Sequence, residues 1–162
     1  MAQKTKRKKI VKEIEIPEGI KIEVDGREIK ISKDSEELKR SLSYPVISKE
    51  NKIIISCDKP SKKDKKLINT ASAHIKNMLM GLQKKFVYKL QIASVHFPMN
   101  VSVSGQEVII KNFLGERKER RAKILDEVEV KIEGDIITVE GRDKEKVGQT
   151  AANIETATKI KK

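Results

Sequence analysis

The residues best placed to do chemistry are Arg117, Lys118, Arg120, Arg121 and Lys123, five cations packed into the segment Arg117-Lys118-Glu119-Arg120-Arg121-Ala122-Lys123. Arginine presents a planar fork of N–H donors that matches phosphate oxygens in pairs, so the chemistry is anion binding. The segment starts as a loop after Asn112-Phe113-Leu114-Gly115 and runs into a strand ending at Ile124. If Ala122 and Ile124 face a core, Arg120 shares their side near its edge, and Arg121 and Lys123 project from the opposite face. An exposed loop kept soluble by charge has the same composition; adjacent guanidinium groups favour RNA. Arg120 and Arg121 are both read as surface residues whose replacement spares the fold. Further cations stand at Lys62, Lys63, Lys65 and Lys66, where a helix begins and where they oppose its dipole. Others are Lys159, Lys161 and Lys162 at the C-terminal end, and Lys4, Lys6, Arg7, Lys8 and Lys9 in an N-terminal arm. That arm, residues 1–11, is too polar to order itself; it reads either as a solvated tail or as an arm that orders against phosphate.

Catalytic and metal chemistry find little support. The two histidines, His74 and His96, stand apart from each other and from the single cysteine. Zinc needs several such ligands at close spacing. No nucleophile elbow and no phosphate-cradling glycine pattern is present, so no catalytic residue, metal ligand, cofactor or small-molecule substrate is expected. Cys57 ends the run Ile53-Ile54-Ile55 and reads as a small buried core residue; a lone cysteine excludes an intrachain disulfide.

The formal net charge is +12 over 162 residues, which points to a polyanionic partner, nucleic acid or an anionic membrane, and composition alone does not choose between them. With no Trp, three Phe and two Tyr, base stacking is nearly unavailable, so recognition is of backbone and shape, as for double-helical RNA. No apolar run approaches the roughly 20 residues of a membrane span and no signal peptide is evident, so the chain is expected in the cytoplasm, away from membranes.

The elements that must hold these residues are written twice. Pro17-x-x-Ile20-x-Ile22-x-Val24 and Gly26-x-Glu28-Ile29-x-Ile31 are answered by Pro98-x-x-Val101-x-Val103 and Gly105-x-Glu107-Val108-x-Ile110. Ile68-x-x-Ala71-x-Ala73-x-Ile75 is answered by Val147-x-x-Thr150-x-Ala152-x-Ile154. Period-two alternation around Asp25-Gly26 predicts a hairpin. Further strands are predicted over 38–44, 52–57, 86–95, 99–103, 108–112, 120–124, 127–133 and 136–140. One helix is capped by Ser61 and ends near Gly81; another is capped by Asp143 and runs to about Thr158. Sequential strands closed by a single helix predict an α+β fold made by tandem duplication, each small domain a mostly antiparallel sheet covered by one helix. The arm occupies 1–11, the first repeat 12–85, and the second, the main RNA-binding domain, 86–162. Residues 93–162 are expected to retain most RNA affinity.

Several longer strings resemble the sixth large-subunit ribosomal protein family, closest to its archaeal branch. They are Ala73-His74-Ile75-Lys76-Asn77-Met78, Phe86-Val87-Tyr88-Lys89-Leu90, His96-Phe97-Pro98-Met99-Asn100-Val101, Asn112-Phe113-Leu114-Gly115-Glu116, Arg120-Arg121-Ala122-Lys123-Ile124, and Asp143-Lys144-x-x-Val147-Gly148-Gln149-x-Ala151-Ala152-Asn153-Ile154. The resemblance spans roughly residues 14–160. It implies a non-enzymatic constituent of the large ribosomal subunit that binds large-subunit ribosomal RNA near the sarcin–ricin loop, where translational GTPases act, beside neighbouring ribosomal proteins. It places Lys144, Gln149 and Asn153 near RNA together with the 120–123 strand. The family continues past the second helix with a basic segment and an Asp-Gly-Ile-Tyr-like strand; this sequence stops at Lys162, so either the lineage lost that segment or the chain is shortened. The alternative function is a non-ribosomal protein-interaction adaptor with two tandem α+β domains.

Overall fold

A computed structural model describes residues 9–49, 51–93 and 98–160. The chain divides into two compact units between Gln83 and Lys84. Among the described residues each unit has six strands followed by one α-helix.

In the first unit the strands are β1 (Ile10–Glu15), β2 (Lys21–Asp25), β3 (Glu28–Lys33), β4 (Glu36–Ser41), β5 (Ile47–Lys49) and β6 (Lys52–Cys57), then α1 (Lys62–Gln83). In the second they are β7 (Phe86–Gln91), β8 (Asn100–Ser104), β9 (Glu107–Lys111), β10 (Arg120–Lys123), β11 (Val128–Glu133) and β12 (Ile136–Gly141), then α2 (Lys144–Ala157). The pairing repeats strand for strand. The sheets run β1-β6-β5 and β2-β3-β4 in the first unit, and β7-β12-β11 and β8-β9-β10 in the second, all antiparallel. The expected α+β duplication is therefore present, with each sheet divided into two three-stranded parts. The chain passes between the parts at Pro17, Pro45 and Pro98. Proline cannot donate to a ladder, so these crossings interrupt the pairing and the helix covers both parts.

Alternation decides which faces are covered. Ile29, Ile31, Ile53 and Ile55 are buried and point at α1, whose stripe includes Ile68, Ala71, Ile75, Leu79 and Leu82. In the second unit Val108, Ile110, Ala122, Ile124, Ile137 and Val139 meet Val147 and Ile154 of α2. Each Val, Leu or Ile among them contributes about 1.5–3 kcal/mol when fully buried. The cores are aliphatic as composition requires; Phe113 is the one buried aromatic residue among the described residues. Gly26 and Gly105, both with φ of 59°, open two-residue hairpin loops, a conformation that costs an L side chain.

Both helix starts follow the sequence. Ser61 Oγ accepts from the Asp64 amide at 3.1 Å, while the Asp64 carboxylate accepts from the Ser61 amide at 2.8 Å, a reciprocal cap. Asp143 accepts from the amides of Glu145 and Lys146. Other expectations shift: Ile10 and Val11, assigned to the N-terminal arm, instead open β1 and pair with Cys57 and Ser56, because Ile10 continues the inward alternation of that strand. Gly81 lies buried inside the last turn of α1, which ends at Gln83. The strand expected over 38–44 is β4, Glu36–Ser41, and the three-residue β5 has too short a pattern to show. Cys57 continues the inward face of β6 but sits at the strand's end, only half-buried.

Candidate nucleic-acid interface

The site is built on β10, an edge strand of the sheet β8-β9-β10. Its inward residue Ala122 is 3% exposed, while Arg121 and Lys123 point outward opposite Ile109 and Glu107 of β9. Lys111, two residues along β9 from Ile109, shares that outer face. An edge strand carries unpaired backbone groups, and side chains of α2 engage two backbone groups at and just after the end of β10. Asn153 Nδ2 donates to the Lys123 carbonyl at 3.0 Å, Thr150 Oγ1 accepts from the Leu125 amide at 3.2 Å, and Gln149 Nε2 donates to Asn153 Oδ1 at 3.0 Å.

Between the β10 edge, the loop after Phe113 and the C-terminal half of α2 runs a groove of about 1020 Å³. It brings together Lys118, Arg120, Arg121, Lys123, Gln149, Asn153 and Lys159. Arg117 stands in an adjoining hollow with Lys111, Lys118 and Arg121. Other expected residues are not brought to it. Lys144 lies at the opposite end of α2, its ammonium 5.7 Å from the centroid of the Phe86 ring. Lys9 pairs with Asp58 at 3.0 Å in the first unit. Lys4, Lys6, Arg7, Lys8, Lys161 and Lys162 lie outside the described residues, as does His96. Sequence reasoning missed Lys111; the period-two rule over β9 would have placed it on the outer face with Ile109.

The two arginines differ. Arg121 is 57% exposed and pairs with Glu119 and, at 3.4 Å, with Glu107. Exposed ion pairs are weak and screened by salt, so a phosphate can displace them. Arg120 is only 22% exposed. Its guanidinium grips Glu116, donates to the carbonyls of Ala157 and Lys159, and lies 4.3 Å from the centroid of the Phe113 ring. This corrects the reading of Arg120 as a surface residue: it ties three segments together, and its replacement is expected to loosen them. The hydrogen bonds of Arg120 and Arg121 hold the carboxyls of Glu116 and Glu119 below the ordinary glutamate value. No cluster of three or more metal-ligating side chains occurs among the described residues, and no helix there is long and apolar enough to cross a membrane.

Comparison with known proteins decides the family. The chain is 43% identical over 155 residues to the large ribosomal subunit protein uL6 of Methanobrevibacter smithii, covering 94% of this chain and 87% of that protein. The chain belongs to the ribosomal protein L6 family. The large ribosomal subunit protein uL6 of Methanococcus vannielii is 44% identical over 155 residues, covering 94% of this chain and 85% of that protein. The model of the family described as ribosomal protein L6 matches residues 97–162, a span that includes β10, the groove and α2. Membership of the family, with archaeal relatives, agrees with the resemblance read from the motifs.

Proposed function

We propose that this chain is a non-enzymatic constituent of the large ribosomal subunit in the cytoplasm, and that its second unit binds large-subunit ribosomal RNA through the β10–α2 groove. The observation that carries the reading is the convergence of Arg121, Lys123, Lys118 and Lys159 on one open groove in a member of a ribosomal protein family. Exposed cations on a strand face and a loop suit the phosphates of a double helix, with Gln149 and Asn153 supplying polar groups at the rim. The finer placement, near the sarcin–ricin loop with translational GTPases and neighbouring ribosomal proteins alongside, follows from the family resemblance. The free-standing adaptor is disfavoured by family membership.

The test is binding of the full chain to a transcript of the large-subunit ribosomal RNA of Methanobrevibacter smithii across a salt series. With about 4–6 neutralised phosphates, affinity falls on the order of a hundredfold or more between 50 and 200 mM salt, taking duplex DNA as a guide. Replacing Arg121 and Lys123 by Ala weakens binding and makes the salt slope shallower by about one for each phosphate no longer neutralised. A flat salt response, or a double variant that binds as wild type does, removes the proposal.

A further inference from the structure

Arg120 and Arg121 are neighbours of one type in one basic run, yet the fold commits the first to the protein. Arg120 Nε and one terminal nitrogen hold the two Glu116 oxygens at 2.9 and 2.6 Å. The other terminal nitrogen donates to the Ala157 and Lys159 carbonyls at 2.8 and 3.1 Å. Of the five N–H donors of a guanidinium, these bonds use four. One N–H remains, so a phosphate could take the fork of Arg120 in a bidentate pair only by breaking that set. The partners belong to opposite walls of the groove: Glu116 to the loop before β10, Ala157 and Lys159 to the exit of α2. The last turn of α2 has no basic residue of its own, so Arg120 also brings positive charge to the carbonyls exposed at that helix end.

We infer that Arg120 is a positioning residue for the RNA groove and not a phosphate ligand. It holds the loop wall to the helix wall and so sets Lys159 in place opposite Arg121 and Lys123. The planar fork is what spans a carboxylate and two carbonyls at once; the single ammonium of lysine does not. The inference rests on the reading of the groove as an RNA site.

The two roles predict opposite signs for Glu116→Gln. That change removes a negative charge beside a polyanion. A ligand role for Arg120 predicts tighter binding, because the guanidinium is released and repulsion falls. The positioning role predicts weaker binding, by about threefold to tenfold, in the lower part of the range of coupling between groups in one network. The measurement is affinity of the full chain for the same ribosomal RNA transcript, at a temperature where melting curves show each variant folded. A second measurement is independent of that variant. Lys159→Ala loses affinity in the wild-type background and loses little in an Arg120→Lys background, because Lys159 is no longer held in place. Unchanged or tighter binding by Glu116→Gln, or additive losses in the Lys159 cycle, overturns the positioning role while Arg121→Ala still weakens binding. If Arg121→Ala and Lys123→Ala also bind as wild type does, the groove reading falls and the positioning role with it.

Discussion

One step along β10 separates a side chain that serves the fold from one that serves solvent. Arg120 lies on the side of Ala122, at the margin of the core, where Phe113 and the helix exit surround it. Arg121 lies on the other face among Glu107 and Glu119. The glutamates that pair with them report the same ion pairs to pH. Glu116 and Glu119 titrate below the ordinary value of 4.5 in the folded chain, first because Arg120 and Arg121 hydrogen-bond their charged forms. A group whose folded pKa is lowered binds fewer protons than in the unfolded chain. Its contribution is complete above the ordinary value and is lost as pH falls through the lowered one. Melting temperature is therefore expected to decline as pH drops below about 4.5. Glu116→Gln flattens part of that decline, because the variant has no carboxyl to protonate. A melting series at successive pH values checks both; an identical acid response in the variant would mean that the Arg120–Glu116 pair adds nothing.

At the scale of elements, the groove depends on how closely α2 approaches the end of β12. Gly141 closes that strand, and a Cβ placed on it would stand 2.8 Å from Val147 Cγ2 and 3.0 Å from the Glu127 carbonyl oxygen. Neither neighbour can yield easily: Val147 is fully buried, and the carbonyl belongs to the turn before β11. Gly141→Ala is expected to push α2 outward and destabilise by about 1–3 kcal/mol, the usual cost of overpacking. Chemical denaturation measures it. Affinity for RNA falls as well, since α2 carries Gln149, Asn153 and the exit held by Arg120. An alanine variant as stable as wild type would show that the helix packs more loosely than these distances indicate. The same helix covers the open edge of β10 through Thr150 and Asn153. Edge coverage and groove formation are thus one packing event.

For the whole molecule, duplication supplies two copies of a scaffold whose corresponding faces differ in charge. The sheet β2-β3-β4 of the first unit answers β8-β9-β10 of the second. There Lys30 lies 3.0 Å from Glu37 and 3.9 Å from Glu23, and Lys39 lies 2.9 Å from Glu37. That face neutralises its own lysines; on the second unit's face Lys111 and Arg121 also pair, with Glu119 and Glu107, but Lys123 adds a further cation facing solvent. Residues 84–162 are accordingly expected to fold alone and to keep most of the affinity for ribosomal RNA. Residues 1–83, although they carry Lys62, Lys63, Lys65, Lys66 and the basic arm, are expected to keep the smaller share. Gel-shift titration of the two fragments against the full chain decides it, and equal affinity of the first fragment would move the main site. A fragment starting at residue 93 is a poor substitute, because it lacks β7, the partner of β12 from Phe86 to Gln91.

The echo of Pro17 and Gly26 in Pro98 and Gly105, the alternation of apolar residues and the helix caps at Ser61 and Asp143 determined the α+β repeat by themselves. These are local signals: turn chemistry, side-chain period and amide capping act over a few residues and are written where they act. The basic run 117–123 was legible in the same way, as was the outward direction of Arg121 and Lys123. The tertiary structure alone decided that Arg120 turns to Glu116, Ala157 and Lys159, and that Lys144 stands apart from the groove. Each of those outcomes depends on which distant segments share the margin of a core. Guanidinium chemistry is the same at 120 and 121, and only the packing of α2 against β10 assigns one to the protein and leaves the other facing solvent.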